Sequence, residues 1–269
     1  MSYPISVGIL TFNNSKTLAR ALESVREFDD IIICDGGSTD DTLEIAKKYN
    51  ARIISQSREH LNEDNTIANF SGVRNQTLAV ARNEWFCFID SDEYLSKEAV
   101  HEMGAIAQKT PVIFDAYQLP RKRIYQDRVV ECSTTYPNYQ MRFFRIPATN
   151  GFIKSVHERI DLKLGAQVGY LSACEYVPFE FTYEAWRKKL LYYLAIEVKR
   201  HEHVTLLHWL THTLVNNARA SLAYFVKYLL MLVSCRGHHM PLWYELMQHW
   251  YHWKLIALTG AKFLRPKRG

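Results

Sequence analysis

The chain has 269 residues, of which 48% are hydrophobic and 23% charged, so it is long enough to bury a substantial core. These proportions exclude a disordered chain and predict one large globular domain or a domain with an appendage. The formal net charge of +5 is unevenly distributed, because residues 1–198 contain 23 Lys and Arg against 26 Asp and Glu, whereas residues 199–269 contain 10 against 2.

The N-terminal segment and the cysteines both favour a location in the cytoplasm. The apolar run at residues 5–10 is too short for the core of a signal peptide, and no small-residue cleavage site follows it. The five cysteines are odd in number, lack C-x-x-C spacing and mostly lie in apolar strings: Cys34, Cys87, Cys132, Cys174 and Cys235. We therefore expect buried thiols and a cytoplasmic location.

Strands and helices alternate along the first 90 residues. Strands are predicted for ISVGIL, DIIICD, ARIIS and WFCFID, and helices for SKTLARALESVREF, STDDTLEIAKKY and NFSGVRNQTLAVA. In the first helix one face holds Leu18, Leu22, Val25 and Phe28. Alternation with short loops predicts a parallel sheet that is covered by helices on both faces.

Polar side chains follow three of these predicted strands. They occupy residues 11–14 (TFNN), 35–40 (DGGSTD) and 90–92 (DSD). Ligands of parallel α/β sheets bind at the carboxyl ends of the strands, so we expect the three clusters to share one edge of the sheet. Three polar strand ends on one edge predict a binding site.

The third cluster contains closely spaced acids. Asp90, Asp92 and Glu93 follow the apolar run FCFI directly, and carboxylates this close raise one another's pKa unless positive charge lies among them. Taken alone, the cluster is either a solvated acidic turn or a set of ligands for a divalent cation. Its position beside two other polar strand ends favours the cation.

After the alternating strands and helices, the predicted elements become short strands and then long helices. Residues 110–175 contain short predicted strands, which indicates a mixed or antiparallel extension of the sheet. From about residue 183 the sequence is helical in three long segments. No repeat or flexible linker separates these regions.

Four motifs in order resemble a known family. ISVGILTFNNSKTLARALESV, IIICDGGSTDDT, FSGVRNQTLAVARNEWFCFIDSDEYLS and YQMRFFR with VHERI are similar to the family 2 inverting glycosyltransferases, over about residues 3–195. More narrowly, they resemble the lipopolysaccharide-core β-1,4-glucosyltransferase branch. The resemblance implies an α/β GT-A fold, a Rossmann-like mixed sheet, here with a C-terminal helical extension.

The resemblance also implies a domain division and a donor. Residues 1–180 would form the catalytic domain, with a nucleotide-binding half at 1–110 and an acceptor half at 111–180, and residues 181–269 would form the helical extension. The donor would be a UDP-sugar, and Mg²⁺ or Mn²⁺ would offset the charge that develops on the departing diphosphate.

Within the acidic cluster, the resemblance assigns different roles. Asp92 would bind the metal directly, while Asp90 would contact the ribose or a metal-bound water. Ser91 lies between them and belongs to the same donor site. For Glu93, two alternatives stay open, contact with the donor sugar or stabilisation of the turn.

The other donor contacts come from earlier in the chain. Asp35 would hydrogen-bond the base or ribose, and the glycines that follow it let the backbone approach a ligand closely. Thr11 and Asn13 would line the nucleotide pocket, with Phe12 against the base. Arg74 would make a cationic contact with the base or diphosphate.

An inverting transfer also needs a base that takes the proton of the acceptor hydroxyl. The motif SVHERI offers Glu158, with Asp161 as the alternative. His157 would complete the metal shell or orient the acceptor. The chain departs from the branch at VPFEFTY, where Glu180 replaces a histidine, and this change leaves the exact donor and acceptor open.

The basic C-terminal segment has three interpretations. Its tryptophans and scattered Lys and Arg suit helices lying peripherally on an anionic membrane, at the inner face of the cytoplasmic membrane. Alternatively, the helices pack on the protein or on another subunit. Nucleic-acid binding is disfavoured, because no recognised binding motif is present.

We expect a metal-dependent transferase that moves glucose from a UDP-sugar to a lipopolysaccharide-core or other envelope glycan or glycolipid acceptor. Alternatives are a capsule or exopolysaccharide transferase with another nucleotide sugar, and a non-catalytic nucleotide-binding scaffold. A dehydrogenase is disfavoured, because no G-x-G-x-x-G run follows the first strand. Donor sugar, linkage and oligomeric state stay open.

Overall fold

A computed structural model of the chain describes residues 2–63, 66–155 and 158–264. These residues form two compact units, the first from Met1–Lys122 with Pro137–Pro178, and the second from Arg123–Tyr136 with Phe179–Gly269. Unit 1 contains a mixed sheet covered by helices, and unit 2 is mainly helical, which confirms the predicted α/β class with C-terminal helices. The domain bounds derived from the sequence stay a prediction.

The strands lie in unit 1, except for strand residues 123–125 and 128–129, which belong to unit 2. In chain order they are β1 (Tyr3–Thr11), β2 (Phe28–Asp35), β3 (Arg52–Ser55), β4 (Trp85–Asp90), β5 (Tyr94–Leu95), β6 (Ala116–Tyr125), β7 (Arg128–Val129), β8 (Asn138–Arg145), β9 (Thr149–Ile153), β10 (Arg159–Leu162), β11 (Val168–Tyr170) and β12 (Glu175–Pro178). The main sheet has the order β3-β2-β1-β4-β8-β6-β12-β5, with β11 beside β6 and β7 beside the last residues of β6. Strands β9 and β10 form a separate antiparallel pair.

The parallel half of the sheet brings the predicted polar strand ends to one edge. Strands β1, β2 and β4 are almost wholly buried apolar runs, as expected for parallel strands covered on both faces. Thr11 pairs in register with Asp35 on one side of β1, and Leu10 pairs with Asp90 on the other. Strand β8 then runs antiparallel to β4 and closes the parallel half.

Among the described residues, four helices cover this sheet: α1 (Leu18–Val25), α2 (Thr42–Lys48), α3 (Phe70–Ala79) and α4 (Lys97–Ala107). Helix α1 buries Leu18, Leu22 and Val25, as its sequence predicts. Phe28 does not lie on this helix, because the chain has already entered β2 at that residue. Helix α3 approaches β1 at Gly8, where an added Cβ would lie 2.6 Å from Thr77 Oγ1.

Unit 2 contains α5 (Tyr183–Arg200), α6 (Leu206–His208), α7 (Val215–Ser234) and α8 (Leu242–Leu264), with a π-helical turn at Trp209–Leu214 joining α6 to α7. Val130, Phe179, Met240 and Tyr244 form a small core, and the guanidinium carbon of Arg123 lies 5.0 Å from the Phe179 ring centroid and 5.3 Å from that of Tyr244. Across the described residues, none of the helices combines the length and apolar character needed to cross a bilayer.

A disulfide in unit 2 corrects the expectation that all five cysteines are thiols. Cys132 and Cys235 are joined, with Cα atoms 5.9 Å apart, whereas Cys34, Cys87 and Cys174 are buried thiols. The two bonded residues are 103 positions apart, so only the fold brings them together. Because disulfides persist mainly in oxidising environments, the cysteines no longer support the prediction of a reducing compartment.

Replacing Cys235 with Ser should lower the free energy of unfolding by roughly 2–4 kcal/mol, because the unfolded chain regains the entropy of a long loop. Urea titration followed by tryptophan fluorescence measures the change. Dithiothreitol should destabilise the unmodified protein similarly and leave Cys235→Ser unaffected. Cys174→Ser is the matched control, and dithiothreitol should still lower its free energy of unfolding. If dithiothreitol lowered the free energy of unfolding of Cys235→Ser by the same amount, the cross-link would be contradicted.

Candidate active site

The carboxylate of Asp35 organises the end of β2. Its Oδ1 accepts a hydrogen bond from Thr11 Oγ1 at 2.8 Å, and its Oδ2 accepts from the backbone N–H groups of Gly37 and Ser38 at 2.8 and 2.7 Å. Thr11 and Asp35 are both buried. These bonds join the ends of β1 and β2 and fix the glycine-containing loop at the sheet edge.

Asn13 connects the same two loops from the other side. Its backbone is in the left-handed region, with φ of 55°, which asparagine tolerates better than most residues. The side-chain Oδ1 accepts from the backbone N–H of Thr39 at 2.8 Å, and the Asn13 N–H donates to Ser38 Oγ at 2.8 Å. Beside it, the Phe12 ring is 43% exposed and offers an apolar surface next to these loops.

Gln56 is a member of this cluster that the sequence patterns did not indicate. Its Nε2 donates to the carbonyls of Thr11 and Cys34, at 3.2 and 3.0 Å, while its buried Oε1 has no hydrogen-bond partner among the described residues. A Cβ added at Gly36 would lie 3.1 Å from this Oε1 and 3.3 Å from the Phe12 ring. Gly36 therefore leaves space between an unpaired amide oxygen and an exposed aromatic ring.

Arg74 is the centre of a second cluster at the end of β4. Its Nη2 donates to Asp90 Oδ1 at 2.6 Å, and its Nε donates to Glu158 Oε1 at 2.7 Å. Its guanidinium carbon lies 4.6 Å from the centroid of the Phe88 ring, close enough for a cation–π contact. Helix α3 thus links the acidic cluster after β4 to the segment before β10.

Arg142 on β8 is a further member that the sequence analysis did not assign. It is 1% exposed, and it pairs with Asp90, Glu93 and Glu175, the last at 3.2 Å. Arg121 on β6 also pairs with Glu93 and Glu175. The available signal was an arginine between apolar residues in YQMRFFR, where a buried strand position requires an acidic partner.

These contacts perturb the pKa values of the acids in both directions. Burial opposes ionisation of Asp90, but the guanidinium groups of Arg142 and Arg74 outweigh it and hold the pKa of that carboxyl well below its ordinary value. Burial raises the pKa of Glu93 well above its ordinary value, despite its arginine partners. Asp92 is exposed at the turn, yet partial burial of its carboxyl and the nearby Asp90 charge raise its pKa.

The structure joins some of the predicted site residues and separates others. Arg74, Asp90, Glu93 and Glu158 belong to one ion-pair network, and Ser91 is buried beside it. Asp161 instead lies on the β9–β10 pair, where its Oδ2 accepts from Asn150 Nδ2 at 2.9 Å. His157 lies outside the described residues.

The carboxyl groups of this network outnumber its guanidinium groups. Three guanidinium groups lie among five carboxyl groups, those of Asp90, Asp92, Glu93, Glu158 and Glu175, an excess of two negative charges when all are ionised. Over residues 2–63, 66–155 and 158–264, no three His, Cys, Asp or Glu side chains are grouped as a metal cage. Mg²⁺ is commonly bound through one or two carboxylates and substrate phosphates, so Asp90 and Asp92 fit such a cation.

Comparison with known proteins identifies the family. The Glycosyl transferase family 2 model matches residues 6–160, more than half of the chain. The protein therefore belongs to glycosyl transferase family 2, and the GT-A class of its fold is confirmed.

Among relatives, the glycosyltransferase SunS of Bacillus phage SPbeta is 34% identical over 105 residues, which are 39% of this chain and 24% of SunS. An uncharacterized glycosyltransferase of Rickettsia conorii is 34% identical over 117 residues, 43% of this chain and 38% of that protein. The matched segments therefore span less than half of these relatives.

Among solved structures, residues 1–349 of S. aureus TarS in complex with UDP-GlcNAc align with 100% of this chain and 93% of that chain. The identity is 17% and the TM-score 0.48. Glucosyl-3-phosphoglycerate synthase from Mycobacterium tuberculosis, in complex with Mn²⁺ and UDP, aligns over 45% of this chain and 44% of that one, with 21% identity and a TM-score of 0.33.

Replacing Arg142 with Met should lower the free energy of unfolding by about 3–5 kcal/mol at neutral pH, because it leaves buried Glu93 and Glu175 with fewer partners. The pKa of an unpaired buried carboxyl is raised, so its protonation relieves the defect, and the loss should shrink as pH falls through that raised pKa. Urea titrations at neutral and acidic pH measure both effects.

Arg145→Met is the matched control for this substitution. Arg145 lies on the same strand and pairs with Glu84 and Asp115, but these partners are more exposed, so we expect a loss of about 1 kcal/mol or less. Equal losses in the two variants would show that burial of the Arg142 network has no special energetic role.

Proposed function

We propose that the protein is a metal-dependent inverting glycosyltransferase that moves glucose from a UDP-sugar to a lipopolysaccharide-core or other envelope glycan acceptor. Membership of glycosyl transferase family 2 supports the reaction class. The observation that carries the proposal is the linked set Asp90–Arg74–Glu158 beside the carboxyl ends of β1 and β2, which unites acidic groups with a cationic contact.

The end of β2 would receive the nucleotide. Phe12 would pack against the uracil ring, and the unpaired Oε1 of Gln56 would accept its N–H group across the space left by Gly36. Asp35 already accepts hydrogen bonds from Thr11, Gly37 and Ser38, so it would contact the base or ribose by exchanging one of these donors for the ligand. These roles use groups that the fold already holds in place.

The diphosphate would lie at the end of β4. The Nη1 of Arg74 is buried and lacks a hydrogen-bond partner among the described residues, so it is available to a phosphate oxygen. Asp92 and Asp90 would hold the Mg²⁺ or Mn²⁺, which when bound supplies Lewis-acid stabilisation of charge on the leaving diphosphate. The raised pKa of Asp92 means that protons compete with the cation at a higher pH than for an ordinary aspartate.

Glu158 is the proposed general base. It shares Arg74 with Asp90, which supports a position at the proposed donor site, whereas Asp161 is hydrogen-bonded to Asn150 on the neighbouring strand pair. In an inverting transfer, the base removes the proton of the acceptor hydroxyl while that oxygen attacks the sugar carbon opposite the diphosphate. Arg74 would orient the Glu158 carboxylate for this step through its Nε–H.

The branch resemblance and the basic C-terminal segment support the proposed acceptor and location. An envelope glycan precursor is lipid-linked, so the enzyme would meet it at the cytoplasmic face of the membrane. Residues 199–269 would make a peripheral contact with anionic lipid there. A soluble nucleotide sugar would reach the site from the cytoplasm.

We expect UDP to raise the melting temperature by several degrees when Mn²⁺ or Mg²⁺ is present, and little in EDTA, because only the folded protein binds the complex. Asp92→Ala should abolish the metal-dependent part. Glu23→Ala, which removes an exposed acid on α1, is the control and should keep the full shift. Differential scanning fluorimetry measures these values; no shift with any nucleoside diphosphate and metal would count against the donor site.

Glu158→Gln should retain UDP binding but slow transfer at least ~100-fold, because glutamine keeps the Arg74 hydrogen bond and cannot accept the proton. UDP release by slow donor hydrolysis, which needs no known acceptor, is the measurement. Asp161→Asn is the matched control and should keep near-normal turnover. The reverse pattern would assign the base to Asp161, and UDP binding without hydrolysis of any nucleotide sugar would favour the scaffold.

A further inference from the structure

Helix α7 has an apolar face that the described protein leaves exposed. Leu222, Val226, Leu229 and Val233 follow the three- and four-residue spacing of one helix face, and all four are exposed, Val233 by 86%. Monomeric soluble proteins seldom expose contiguous apolar patches of this kind without using them for an interaction.

The apolar face continues onto α8. The two helices run antiparallel, and polar contacts join them: Ser221 Oγ lies 2.9 Å from His249 Nδ1 and accepts from Trp253 Nε1 at 3.1 Å. A groove of about 520 Å³ lies between them. Its apolar lining includes Leu222, Phe225, Leu242, Leu246 and Trp253, each exposed by more than 40%. One surface therefore includes side chains from both helices, and we call it the α7/α8 face.

Positive charge accompanies this face. Arg219 and Lys227 of α7 and Lys254 of α8 are exposed, and within the described residues none of the three has an ion pair. Acidic residues are almost absent from residues 199–269, where Glu245 is buried against Thr134 and only Glu202 is exposed. The composition is that of a cationic apolar surface.

We propose that the α7/α8 face lies in the interfacial layer of an anionic lipid bilayer, with its leucines and Trp253 among the acyl chains and its basic side chains at the phosphates. With 20 residues, α7 is ~30 Å long and would lie in the membrane plane. A second copy of the chain fits less well, because a two-fold interface would bring the same basic side chains together without acidic partners.

The α7/α8 face specifies which surface would make the membrane contact of the proposed function. The identity of the acceptor rests on that proposed function. A transferase lying on the bilayer would search for a lipid-linked acceptor in two dimensions, while its donor arrives from solution. Vesicle binding itself requires neither donor nor acceptor. Failure of the membrane contact is therefore distinguishable from failure of the UDP-binding and hydrolysis experiments.

The test is co-sedimentation of the full chain with phosphatidylcholine vesicles that contain or lack phosphatidylglycerol. We expect strong binding only with the anionic lipid, weakened by salt. The triple variant Leu222→Gln, Leu229→Gln, Val233→Gln should reduce the partition coefficient at least ~tenfold. The control triple Val112→Gln, Ile113→Gln, Leu164→Gln changes exposed apolar residues of unit 1 and should bind normally.

A second set of measurements separates insertion from charge attraction and from self-association. Brominated lipids should quench tryptophan fluorescence, and Trp253→Phe should lose part of that quenching. Arg219→Gln, Lys227→Gln and Lys254→Gln together should remove the preference for anionic vesicles. Protein that stays unbound at low salt, or a dimer in sedimentation velocity that the α7 triple variant dissociates without any vesicle binding, would overturn the proposal.

Discussion

The acids at the end of β4 depend on guanidinium groups for their charge balance. Asp90 and Glu93 are close enough to oppose each other's ionisation, and Arg74 and Arg142 supply the positive charge that keeps Asp90 ionised. These arginines come from α3 and β8, so the electrostatic requirement ties a helix and an antiparallel strand to the parallel half of the sheet. Loss of either arginine would disturb both the packing and the candidate site.

The arginines do not match all of the carboxyl groups in this network, and such a site suits a charged ligand. Arginine pairing satisfies most of the carboxyl groups, yet the five carboxyl groups exceed the three guanidinium groups by two, and Arg74 Nη1 has no partner among the described residues. A dication bound with a diphosphate would use both features, since the cation matches the excess and the phosphate matches the free N–H group. The preorganised network would thus hold these groups in place before the donor binds.

Some features were predictable because they follow from local pattern. Buried apolar runs indicated β1, β2 and β4, and parallel pairing then required Thr11, Asp35 and Asp90 to share an edge. Arg142 was not assigned, because an arginine in an apolar strand has no evident partner until β6, β8 and β12 are placed beside one another. The motif favoured Glu158 as the base with Asp161 as the alternative, and these two acids, three residues apart, differ in the groups that surround them in the fold.

The chain alone sufficed for the family, for the α/β class with its helical extension, and for the residues at the strand ends. Those properties depend on periodicity and short motifs, which are local in the sequence. The Cys132–Cys235 bond, the arginine network and the unpaired atoms of Gln56 and Arg74 are properties of the tertiary structure alone. Each depends on contacts between residues far apart in the chain, and no local pattern encodes which distant groups will meet or which will be left without a partner.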